Sequence, residues 1–233
     1  MKKLKIKGWK KYVFEFFSIF IAVLTAFALN NWNDNRKADK SESKILIEIS
    51  NGLEKDIVDI RQNQFGHKGG IKACDYFRNM LMGKKVNSDS LMVRYRALTR
   101  DFISIQNTAG YETLKSRGLE LIKNDSLRLK IISIYEYDYN TLLKLEEEYY
   151  EMQFQENYFK DINDEIAPNF IIDSLGNITG IDLPLKIQED KRNKLLLYLW
   201  KIQSNRDFTL KYYSAIEKKV NKVREDIKYE IKH

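Results

Sequence analysis

The stretch VFEFFSIFIAVLTAFALNNW, Val13 to Trp32, carries one carboxylate, Glu15, in an otherwise apolar run. A carboxylate among lipid tails is costly, and ionisable residues in spans generally face a bundle interior or a wet cavity. Counted at about 100° per residue from Glu15, Ser18 falls at about −60°, Ala22 at about −20° and Ala26 at about +20°. The four share a small-xxx-small face, which lets helix backbones approach closely in a membrane. Phe17, Phe20, Leu24 and Phe27 point the other way. Three chemistries are open to Glu15. It can mark a protein contact, it can snorkel to the boundary and pair with Lys11 at i−4, or it can sit on a proton or cation path.

Elsewhere the residues that could react are sparse. The two histidines, His67 and His233, fall in the glycine-rich stretch FGHKGG and at the terminus, so a Ser or Cys nucleophile has no evident base. Cys74 is the only cysteine, which excludes an intramolecular disulfide and a cysteine-based zinc site within one chain. No phosphate-binding glycine loop, HExxH or calcium-loop spacing occurs. LEEEYYE, Leu145 to Glu151, puts Glu147 and Glu151 on one helical face. A di-iron site would need a Glu-x-x-His as well, so this reads as a solvated face. The aromatic run Tyr135, Tyr137, Tyr139, Tyr149, Tyr150, Phe154, Tyr158 and Phe159 reads as core and interface packing. The expectation is a protein with no catalytic residues, no metal and no cofactor.

Charge points to a surface rather than a nucleic acid. Of 40 Lys plus Arg, six lie in the first eleven residues, and the remainder carries 34 basic against 33 acidic residues. The basic excess therefore belongs to a tail suited to an anionic membrane, not to a folded nucleic-acid face.

These residues must be positioned by helices. Tyr12 to Leu29 is long enough to cross a bilayer core of about 30 Å at the short end of the range. Trp9, Tyr12, Asn30, Asn31 and Trp32 stand at its two ends as membrane-interface anchors. The positive-inside rule puts residues 1–11 in the cytoplasm, the span at 12–32 and residues 33–233 outside it. A cleaved signal peptide ending near Ala26-Phe27-Ala28 is the competing reading, weakened by the length of the apolar run and by Glu15. Ile45, Ile49, Leu53, Ile57 and Ile60 then predict a helix over 40–66, capped at Ser41 or Ser43 and ended by FGHKGG. Further helices are expected over 71–82, 89–102 (capped by Ser88) and 109–117, the last capped by Thr108 and stopped by Gly118. A long helix begins at Asn124 or Asp125 and runs to about 166, with Leu127, Ile131, Ile134, Leu142, Leu145 and Tyr149 on one stripe. Pro168 ends it. The β-prone runs 170–172 and 178–181 flank the turn-forming DSLGN and predict a short hairpin or irregular insertion near 169–184. A last helix from about 186 carries Leu196, Leu199, Ile202, Phe208, Tyr212, Ile216, Val220, Val223 and Ile227. The fold class is all-α: one transmembrane helix joined to an antiparallel bundle of three long helices and shorter ones.

Two segments resemble a family of single-pass membrane proteins known as a domain of unknown function, numbered 6090, common in one Gram-negative phylum. The first is EFFSIFIAVLTAFALNNWND, Glu15 to Asp34, similar at Glu15, Ala22, Ala26, Asn30, Asn31, Trp32, Asn33 and Asp34. At the positions of Phe14 and Ala22 the family often has glycine. The second is GYETLKSRGLELIKNDSLRLKIISIYE, Gly110 to Glu136, which looks like the family's Tyr-x-x-Leu-Lys-Ser-x-Gly element. The resemblance implies an uncleaved anchor and a helical domain outside the cytoplasm, and no activity. From the residues themselves, Tyr111 and Leu114 dock on the long helices, Gly118 turns the chain, and Leu119 and Ile122 re-enter the core. That describes a buried connector. Alternatively Tyr111, Lys115 and Arg117 offer polar groups to an anionic ligand.

Together these features predict a non-enzymatic, membrane-anchored scaffold of the cell inner membrane, with its bundle in the periplasm. Its partners would be membrane lipids and either a second copy or another inner-membrane protein. A periplasmic ligand sensor, and an accessory to an ion-driven membrane energiser using Glu15, are the alternatives.

Overall fold

A computed structural model describes residues 9–232, except for the side chain of Lys10. Most of the basic tail and His233 lie outside the described residues. The chain is all-α with one small hairpin.

Helix α1 runs unbroken from Trp9 to Leu81, 73 residues. The span, the expected helix over 40–66 and the expected helix over 71–82 are one rod of about 110 Å at about 1.5 Å per residue. Ser41 and Ser43 cap nothing, and FGHKGG does not end the helix. Its glycines serve contact rather than turning. A Cβ on Gly66 would lie 2.2 Å from Phe102 Cε1, and one on Gly70 would lie 2.4 Å from Arg206 Nε. Only glycine lets those two side chains lie against the rod.

Within α1 the 18-residue apolar window has a mean hydropathy of 2.1 and nothing covers it, so it is a candidate membrane span. Trp9 and Trp32 are both exposed at its ends, about 35 Å apart along the axis. Beyond it, Asn30 to Lys40 is exposed all round apart from half-buried Ala38. The bundle begins where Lys123 bonds Asp39 through its ammonium and Glu42 through its backbone N–H (2.9 Å).

The second long helix, α7 (Glu189–Lys232), packs antiparallel along α1. Arg61 meets Glu217 at 2.7 Å, and Arg224 meets Glu54 at 3.0 Å. Its buried side is Leu195, Leu199, Ile202, Arg206, Thr209, Tyr213, Ile216, Val220, Val223 and Ile227. The expected stripe is correct at Leu199, Ile202 and from Ile216 to Ile227, but at its start Leu195 is buried and Leu196 only half-buried, and it slips in the middle. Phe208 is exposed and Tyr213 is buried in place of Tyr212, because the polar Arg206 and Thr209 occupy core positions.

The expected third long helix is segmented. It comprises α4 (Asp125–Ile132), α5 (Tyr139–Leu143) and α6 (Lys160–Ile166), joined by wide π-helical turns at Ser133–Asp138, Lys144–Glu148 and Gln155–Phe159. The chain turns extended at Tyr149 (φ −73°, ψ 112°). Freed carbonyls there are taken up by side-chain amides, as buried or crowded backbone groups require. Gln153 donates to Glu146 O (3.0 Å), Asn157 to Tyr150 O (2.6 Å) and Asn205 to Glu151 O (3.2 Å).

Shorter elements complete the bundle. Helix α2 is Leu91–Leu98, shorter than the expected 89–102, and the turn before it is capped by Asn87 rather than Ser88. Helix α3 is Ala109–Arg117, as expected, and Gly118 ends it at φ +99°. Thr108 precedes it without a side-chain cap, whereas Asn124 caps α4 by accepting from Leu127 N. Strands β1 (Phe170–Ile172) and β2 (Ile178–Ile181) pair antiparallel, as the sequence indicates.

The core has two apolar layers. One, nearer the span, gathers Ile45 to Ile60 with α3, α4 and the C-terminal half of α7. The other gathers Ala73 to Leu81 with α2, α6 and the N-terminal half of α7. A belt of buried polar side chains runs through the bundle, including Asp56, His67, Ser104, Asp138, Glu146 and Arg206.

Candidate functional site

Glu15, Ser18, Ala22 and Ala26 all lie on the exposed part of α1. Lys11 Nζ approaches Glu15 at 3.9 Å across one turn, the exposed pairing expected at i,i+4. The Ser18 hydroxyl donates to its own helix at Phe14 O (2.8 Å), a back-bond that leaves it no demand for a partner. Apart from the Glu15 carboxylate, this face therefore offers small size and shape rather than hydrogen bonds. At the C-terminal end of the candidate span, Asn30 donates to Asp34 (3.1 Å), and the Arg36 guanidinium lies 5.7 Å from the centre of the Trp32 ring.

The connector element sits over a pocket of about 290 Å³ whose lining includes Tyr111, Lys115, Tyr135, Glu136, Tyr139 and Asn140. Tyr111 and Leu114 are buried, and Ile122 re-enters the core as expected. The Tyr111 ring stacks on Tyr135 with centroids 4.5 Å apart. Its hydroxyl donates to Glu136 Oε1 (2.9 Å), and Lys115 Nζ reaches the same oxygen at 3.1 Å. The bond from Tyr111, and then Lys115, holds the Glu136 carboxyl below its usual range. Arg117 is exposed and does not line the pocket. The cation expected to meet an anionic ligand is thus neutralised by Glu136, and the geometry is that of a tied connector.

The polar belt is the feature that sequence reasoning missed. Arg206 is fully buried on α7. It donates to Leu98 O (3.1 Å) and Arg100 O (2.8 Å), meets His67 Nδ1 at 3.2 Å, and lies 4.7 Å from the centre of the Phe154 ring. The carbonyl at the end of α2 and the one just beyond it stand where a carboxylate would be expected, since the C-terminal end of a helix carries partial negative charge. Burial pulls Arg206 down to about 10, so it stays charged at neutral pH. Burial, with Arg206 beside it, pushes His67 down to about 3. Burial raises the Cys74 thiol to about 12. The site therefore holds neither a basic histidine nor a thiolate.

The irregular strap of residues 99–108 crosses this belt, and carboxylates hold its backbone. Ser104 N donates to Glu146 (3.0 Å), Ile105 N to Asp59 (3.0 Å) and Asn107 N to Asp56 (2.8 Å). Asp56 also accepts from Tyr139 (2.8 Å), and Glu146 also accepts from the Ser104 and Tyr213 hydroxyls. Burial lifts Glu146 to about 7 against the bonds from Ser104 and Tyr213. The expectation that LEEEYYE is a solvated face is thus wrong for Glu146, which a π-helical turn carries into the core. Glu147 is exposed, and Glu151 pairs with Lys201 (3.1 Å). Asp138, in another such turn, takes Lys219 at 2.6 Å. Among the described residues no group of three or more His, Cys, Asp or Glu side chains is placed to hold a metal.

No curated protein and no solved structure matches this chain. One family model does, described as a family of unknown function (DUF6090), over residues 15–162. The matched region starts at Glu15 in the span, includes the connector and the strap, and ends in α6. By that match over well more than half of its length, the chain belongs to the DUF6090 family.

Proposed function

We propose that this protein is a non-enzymatic, membrane-anchored scaffold. Its span associates through Glu15, Ser18, Ala22 and Ala26 with a copy of itself or another inner-membrane protein. Its bundle, on the periplasmic side, positions an envelope partner. One observation carries this reading: the candidate span and the bundle's main helix are a single unbroken rod. An association of spans therefore sets where the bundle stands. The lysine-rich start preceding the span supports the orientation. Cysteines placed at Ala22 and Ala26 in membranes are expected to crosslink, and cysteines at Phe20 and Leu24 are not. Equal reactivity on the two faces would remove the span contact.

A further inference from the structure

The side of α1 turned away from the bundle is unpartnered and partly apolar. Exposed positions recur there at Lys44, Ile47, Asn51, Val58 and Phe65, flanked by Glu54 and Arg61, which reach round to Arg224 and Glu217 of α7. Three of them are large and apolar, with Ile47 46 %, Val58 53 % and Phe65 80 % exposed. Counted from Glu15 at about 100° per residue, Ile47, Asn51, Val58 and Phe65 fall between about −40° and 0°. That is the sector of Ser18, Ala22 and Ala26. The buried Ile45, Ile49, Leu53 and Ile60 fall more than about 115° away.

We infer that Ile47, Asn51, Val58 and Phe65 form a contact with the same face of a second copy of this chain, the two α1 helices lying parallel. The inference rests on the association of spans proposed above and names its partner. Phe65 lies about 54 Å along the rod beyond Leu29, out of reach of any lipid. A soluble partner cannot follow the face down to Ala22. A second copy does both, and a shared membrane sets the two rods parallel and at one depth. Each residue then meets its own counterpart. Asn51 meets Asn51 between apolar neighbours, an arrangement that fixes register and favours two strands. The bundle packs on the opposite side of α1 and reaches toward this face only through the ion pairs at Glu54 and Arg61. The exposed stretch from Asn30 to Lys40, with Lys37 and Lys40 on this side, separates the domain contact from the span contact.

The test uses the full chain in lipid bilayers, with single cysteines at Ala22, Val58 and Phe65, and controls at Leu197 and Phe208 on α7. Cys74 is buried and remains in place. Under mild oxidation, Val58→Cys and Phe65→Cys are expected to form covalent dimers well above both controls. Phe65→Asp, at a surface position, is expected to lower the dimer fraction at Val58→Cys about ten-fold. Dimers at Ala22→Cys with only control-level reaction at Val58 and Phe65 would overturn this inference and leave the span contact standing. Dimers at Val58 and Phe65 without one at Ala22 would leave the domain contact standing and sink the span contact. Background reaction at all three sites would end both.

Discussion

Alanine substitution in FGHKGG should split in sign between neighbouring glycines. Gly69 has nothing within 4 Å of where a Cβ would stand. Alanine there gains its ordinary helix preference, about 1 kcal/mol, and the melting temperature should rise by about 2–4 °C for a chain of this size. At Gly66 the new methyl would meet Phe102 Cε1 at 2.2 Å. Phe102 also packs on His67, centroids 5.3 Å apart. Forcing the ring aside costs about 1–3 kcal/mol, which cancels or exceeds the helix gain. At Gly70 the methyl would meet Arg206 Nε at 2.4 Å and Cζ at 2.5 Å. Moving that guanidinium strains its bonds to Leu98 O and Arg100 O, each a charged hydrogen bond worth about 1.5–3 kcal/mol. The net loss should be about 2–4 kcal/mol, the largest of the three. Thermal unfolding of the full chain in detergent micelles, followed by far-ultraviolet circular dichroism, gives the order Gly69→Ala above the parent, Gly66→Ala at or below it, and Gly70→Ala lowest. If all three destabilise alike, the glycines act as a joint and not as contact points. If Gly70→Ala stabilises, the close approach of Arg206 to α1 is wrong.

Glu146→Gln should flatten the pH dependence of stability between about pH 5 and 8. The folded carboxyl titrates at about 7, above its unfolded value of 4.5, so its bound proton stabilises fully below pH 4.5 and that contribution is lost as pH rises through 7. The loss is about 2–3 kcal/mol, and melts at pH 5 and pH 8 measure it; a parent chain equally stable at both would contradict the burial of that group. Asp161 and Asp226, held low by Lys194 and Lys130, act in a separate window and lose their contribution as pH falls below about 4. Arg206→Met should cost about 2–4 kcal/mol, because it leaves the Leu98 and Arg100 carbonyls without their donor; chemical denaturation of the variant checks this, and an unchanged midpoint would show that water reaches those carbonyls.

The apolar N-terminal run, the core stripe of α1, the helix ended by Gly118 and the hairpin were legible because each rests on local periodicity or turn chemistry. Ile45, Ile49, Leu53, Ile57 and Ile60 needed only spacing, and Gly118 only its place after a short helix. The misreadings share a cause. Gly66 and Gly70 look like breakers in a one-dimensional pattern, but their role depends on Phe102 and Arg206, which are distant in sequence. Arg206 and Glu146 look like surface residues because burial of a charge is recognisable only when its donors or acceptors are known. The π-helical turns left no signal in the 3.6-residue pattern. The one clue to the belt was indirect: the expected apolar stripe has no member between Ile202 and Phe208, and Arg206 lies in that gap.

The rod has no joint between Leu29 and Leu81, and that makes it a lever. The 52 residues beyond Leu29 reach about 78 Å, so leaning the proposed span by about 10° sweeps the far tip sideways by about 13 Å. Helices lean to suit the thickness of the bilayer around them. A change in lipid composition, touching none of the folded domain, would therefore shift where its distal end sits and what lies within its reach.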